Sequence, residues 1–88
     1  MSNNTLNTVV AERFVELPHV GIAHVRLVKL PAAQRGWFES LVSVEGNIGT
    51  AGPVIYCRNH VLDYAVDMYE HIADNPNALR QFVLDELY

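Results

Sequence analysis

Cysteine is all but missing from this chain. Cys57 stands alone among 88 residues, so no intrachain disulfide can brace the fold, and an unpaired thiol fits a reducing compartment. Basic residues are also scarce, six against ten acidic ones for a formal net charge of −4, which leaves no basic stripe or recognition helix for nucleic acid. No uninterrupted apolar run approaches the ~20 residues of a membrane span, and Met1-Ser2-Asn3-Asn4 has no basic residue leading into an apolar stretch, so neither an anchor nor a secretory leader is expected. A cytoplasmic setting follows from these absences. There is no closed four-ligand pattern of Cys and His and no phosphate-loop lysine, and no cofactor is expected.

Half of the residues are hydrophobic and no low-complexity tract interrupts them, so the chain is expected to fold as one domain spanning residues 1–88, with residues 1–5 disordered. A chain this short buries roughly 60–65% of its unfolded surface, too little for two independent cores.

The clearest structural signal runs from Tyr56 to Ile72. Val61, Leu62, Ala65, Met68, Tyr69 and Ile72 recur there at steps of three and four, the spacing of one buried helix face, and Val61, Ala65, Met68 and Ile72, with Phe82 and Val83 further on, are expected among the most buried side chains. Asn59 precedes the pattern, where its side chain can accept from a first-turn amide, and the helix is expected over His60–Ala73. Asn75-Pro76 then restarts a helix, since asparagine caps well and proline costs nothing at the first position. Leu79, Phe82, Val83 and Leu87 form its apolar stripe, with Leu84 and Tyr88 to one side as a further patch for a partner or a homodimer.

Upstream, Ile22–Leu30 and Trp37–Glu45 alternate as strands that should pair antiparallel across Pro31–Gly36. Gly46–Pro53 carries three glycines and reads as a flexible connection; a phosphate cradle is the weaker reading, because Pro53 and a short strand Val54–Tyr56 follow instead of a helix start. Leu6–Leu17 is ambiguous. Its Leu6, Val9, Val10, Phe14 and Leu17 fit a helical stripe, its β-branched residues suit a strand, and helix is the favoured reading. The expected fold class is therefore α+β: a small antiparallel sheet of about three strands covered by two C-terminal helices, with a further helix at the N-terminus.

Charge is distributed unevenly. Residues 57–88 hold six acidic side chains against Arg58 and Arg80, so the whole excess of four lies there. Asp63, Asp67, Glu70 and Asp74 stand at steps of four, three and four, which a helix turns into one acidic row. A solvated helix face is the plainer reading of that row, and a docking surface for a basic partner is the sharper one.

Three constellations could carry chemistry. Cys57 and His60 bracket the start of the helix, where a thiol is acidified and an imidazole can take its proton. Cys57, His60 and either His19 or His24, or Asp67 with His71, could supply metal ligands. Asp63 and Asp67 form a carboxylate pair, but on a face open to water neither pKa would separate acid from base. The expected function is thus a non-enzymatic protein–protein interaction module, an inhibitor or adaptor of the kind also carried by phages and mobile elements, which binds a protein with a basic surface through Asp63, Asp67, Glu70 and Asp74 or through Leu84 and Tyr88. The alternative is a small enzyme or metal-binding protein using Cys57 and His60.

Overall fold

A computed structural model describes residues 7–47 and 49–88. Strands β1 (Thr8–Leu17), β2 (Gly21–Lys29), β3 (Phe38–Gly46) and β4 (Gly49–Asn59) form one antiparallel sheet in chain order, and helices α1 (Leu62–Ala73) and α2 (Pro76–Glu86) follow. The α+β architecture with two C-terminal helices is as expected, with one strand more. The fold measures 39 × 30 × 18 Å, and its thin dimension fits one sheet plus one helix layer.

The extra strand is the segment whose helical stripe was favoured. Residues 8–17 form β1, paired with β2 from Thr8 opposite Lys29 to Leu17 opposite Gly21; Leu6 and the expected disorder over residues 1–5 lie outside the described residues. Pairing along a neighbouring strand outweighs a weak local preference, and Thr8, Val9, Val10 and Val15 are β-branched residues that suit it. Pro18 and His19 then make the turn into β2. Val20 donates its amide to the Leu17 carbonyl at 3.0 Å, with His19 at φ 67°, the geometry of a turn in which proline presets the first corner. Gly21 follows at φ 143°, and a Cβ there would run into the Glu45 carbonyl of β3.

Gly46–Pro53 is not a flexible connection. Gly46 pairs with Gly49 across a tight hairpin, and β4 runs on through Pro53 to Asn59, well beyond the short strand Val54–Tyr56. The glycines serve the strand. Gly52, at φ 92°, lies so close to the Val42 carbonyl that a Cβ would sit 2.8 Å from it.

Directly paired residues share a face of the sheet. On one face Val15, Ala23, Val25, Leu27, Val42 and Val44 meet Ala65, Tyr69, Ile72, Leu79 and Val83 of the helices. That is the core. Asn75 caps α2 as expected, its Oδ1 accepting from the Ala78 amide at 3.2 Å, and Arg80 donates to the Pro18 carbonyl at 2.7 Å, tying α2 to the β1–β2 turn.

Helix α1 begins two residues later than its periodicity indicates. Asn59 Oδ1 accepts from the Val61 amide at 2.8 Å, a local turn that holds His60 and Val61 outside the helix. Its buried side is Ala65, Tyr69, Ile72 and Ala73, while Val61 (38% exposed), Leu62 and Met68 (37%) are open to solvent. Val61 and Met68, expected among the most buried side chains, are therefore not core residues, and Phe82 is only half-buried. The apolar arc of α1 is wider than the groove that receives it.

Candidate interaction surfaces

On α1, steps of three and four put Asp63, Asp67 and Glu70 on the outward side, and all three are exposed. Asp63 lies in the first turn, where the positive end of the helix favours a carboxylate. Asp74 is different. It caps the C-terminus of α1, and Arg13 of β1 donates its Nε to Asp74 Oδ1 at 3.1 Å, so the last acid of the row is engaged within the molecule. Beside the acids runs a row the sequence reading had assigned partly to the core: Val61, Tyr64 and Met68, again at steps of three and four and all exposed.

Leu84 and Tyr88 are also exposed. They border a groove of about 250 Å³ completed by His19, Val20 and Asn47. A larger depression lies elsewhere, about 410 Å³ between Leu30, Gln34, Arg35, Trp37 and Arg58.

The residues considered for chemistry are scattered over the fold. Cys57 of β4 pairs with Ser40 and so belongs to the helix-covered side of the sheet, while the His60 ring packs against Trp37 at 5.2 Å. His19 is in the β1–β2 turn, and His24 lies on the other face, stacked on Phe14 and 2.7 Å from Glu12 Oε1. Asp67 and His71 are both exposed on α1. Among the described residues no three His, Cys, Asp or Glu side chains gather as a metal site would require. Two hydroxyls have displaced pKa values. Burial, with Cys57 nearby, pushes Tyr56 up, and burial pushes Tyr69 up against the opposing charge of Arg13. Both therefore stay neutral at pH 7 and offer no base there.

No likeness was found. No family model, curated protein or solved structure matches the chain.

The surface that sequence reasoning missed is the second face of the sheet. Register puts Val9, Val28, Glu39 and Arg58 in one row across it, then Glu12, Arg26, Leu41 and Ile55, then Phe14, His24 and Ser43, and finally Glu16, Ile22, Glu45 and Thr50. Among the described residues neither α1 nor α2 packs on these rows, although Val28 and Glu39 of the first row are themselves buried. Phe14 is 67% exposed, and Val9, Ile22 and Ile55 are each close to half exposed. The signal was present in the alternation Glu12-Phe14-Glu16 against Arg13-Val15-Leu17, which a helical reading of the segment conceals.

Proposed function

We propose that this protein is a non-enzymatic binding module that receives a partner with a basic surface on the outer side of α1 and acts as an inhibitor or adaptor. One observation carries the reading: Asp63, Asp67 and Glu70 of α1 run beside an exposed apolar row made of Val61 at the N-cap and Tyr64 and Met68 on the helix. The two rows have complementary duties. Apolar side chains and a tyrosine supply the area that is desolvated on binding, and the carboxylates steer a cationic partner and set its register. Asp74, engaged by Arg13, contributes to the field of the row but not a free carboxylate.

The test uses the tagged wild type and an Asp67→Lys/Glu70→Lys variant as baits in host lysate, followed by affinity measurement on the protein retained. Exposed like charges at helical spacing interact weakly, so the double change should leave stability within about 0.5 kcal/mol. The captured partner should bind the variant at least tenfold more weakly, and its affinity for the wild type should fall as salt screens charges over about 8–10 Å. Equal, salt-insensitive binding to both baits would refute the α1 surface and move the contact to Leu84 and Tyr88.

A further inference from the structure

The face of the sheet turned away from α1 and α2 is a broad, partly apolar surface. We infer that it is covered by the same face of a second copy, giving a two-fold dimer in which two sheets pack together and the helices lie outside. This goes beyond the docking role of α1 and does not depend on it.

Size is the first argument. Four strands about 4.8 Å apart, each about ten residues at about 3.3 Å, present about 600 Å² before side-chain relief. A standard stable interface covers about 800 Å² per partner, so the rugged side-chain surface of this face is of the right order. A few exposed apolar side chains are ordinary on any protein. Here Phe14 and Ile22 are diagonal neighbours across β1 and β2, and Ile55 lies beside the half-buried Leu41; clustering of this kind is what marks a contact.

Shape selects the occupant. Sheets share one hand of twist, and two of them pack face to face with strands about 30° apart. A second copy brings a matching surface without any further specification. The face also has a depression of about 230 Å³ bordered by Phe14, Ile22, His24, Ser43 and Thr50, large enough for an apolar side chain from the opposite copy.

Charge on the face is mixed. Glu39 is ion-paired with Arg58 and Glu12 lies 2.7 Å from His24 inside the face, with Arg26 near the middle and Glu16 and Glu45 in the last row. Glutamates outnumber arginines there, so the face offers no basic field to a nucleic acid.

The sheet edges are poorer routes to association. The β1 edge is broken by a bulge between Val9 and Ala11, and β4 carries Pro53, which has no amide to donate. Both devices discourage edge-to-edge pairing. In a face-to-face dimer the two α1 surfaces point away from each other, so one assembly could engage two partner sites.

Sedimentation equilibrium on the purified chain, from 1 to 200 µM, tests the inference. The wild type should reach twice the 9.9 kDa chain mass within that range. Phe14→Arg on β1 and Ile55→Arg on β4 should each raise the dimer dissociation constant at least tenfold, while circular dichroism and melting confirm that the monomer is folded; because the two positions lie on opposite edge strands, failure of one variant to fold leaves the other decisive. Leu84→Arg and Asp67→Lys/Glu70→Lys should leave the dimer unchanged, which separates this interface from the α1 surface. A wild type that stays at 9.9 kDa throughout, or a dimer that responds to Leu84→Arg and not to the sheet variants, would overturn the inference.

Discussion

Arg58 of β4 holds the carboxylate of Glu39 on β3, its Nε donating to Oε2 at 2.7 Å with a second guanidinium nitrogen against the same oxygen. Glu39 is 6% exposed and Arg58 is half open to water, so the pair closes one end of the uncovered face by neutralising a carboxylate that has lost its solvent. Removing Arg58 leaves that carboxylate without its partner. Arg58→Ala should cost about 1–3 kcal/mol, the lower part of the range for a buried charge because the guanidinium itself remains hydrated. Arg58→Met with Glu39→Gln should recover much of the loss. Urea unfolding of the three proteins measures this, and an Arg58→Ala midpoint equal to that of Arg35→Ala, a change at an exposed turn residue, would show that the pair adds nothing.

Tyr69 is 2% exposed, and its hydroxyl has no hydrogen-bond partner among the described residues. A buried hydroxyl without a partner is a net cost, so Tyr69→Phe should be neutral or stabilise by about 1 kcal/mol. The same hydroxyl predicts a pH effect. Burial raises its pKa above the ordinary 10.0, so the folded state holds the proton more tightly than the unfolded state. That contribution is complete below about pH 10 and is lost as pH rises through the folded value. Thermal melts between pH 8 and pH 11 should fall more steeply for wild type than for Tyr69→Phe; Tyr56, raised by burial in the same sense, keeps the variant from being flat. Parallel pH profiles would rule the assignment out.

Met68 and Ile72 lie one turn apart on α1, yet Ile72 is buried in the core and Met68 is 37% exposed. Met68→Asp should therefore cost only about 1 kcal/mol, whereas Ile72→Asp strands a charge in the core and should cost more than about 4 kcal/mol or prevent folding. Ile72→Ala, at about 2–4 kcal/mol, keeps the comparison measurable if the aspartate variant does not fold. Chemical denaturation reads all three, and comparable losses for Met68→Asp and Ile72→Asp would put Met68 back in the core.

Much of the architecture was legible because its signals are local. The Asn75-Pro76 start of α2 rests on cap chemistry within four residues, and the alternation of Ala23, Val25 and Leu27 against His24 and Arg26 identifies β2 without reference to anything else. The Val61-Met68 row shows where local reading fails: helical periodicity marks every apolar residue near one side, and only the width of the groove between sheet and helix selects Ala65, Tyr69 and Ile72 for burial. The acidic row was legible as a row, but the loss of Asp74 to Arg13 joins residues 61 positions apart and leaves no trace in the spacing of either segment.

By itself the sequence determined the α+β class, the two C-terminal helices and the concentration of negative charge beyond Cys57, since each follows from residue type and short-range spacing. Tertiary structure decided the rest. Residues 8–17 carry both a helical stripe and β-branched content, and β2 settles the matter because it pairs with the segment from end to end, the bulge at Val10 apart. The glycines of Gly46–Gly52 are strand and turn residues because β3 lies close enough to need them. Above all, the second face stands apart from the helices because α1 and α2 both pack on one side of the four-stranded sheet. That is a property of the assembled layers, which no residue spacing encodes.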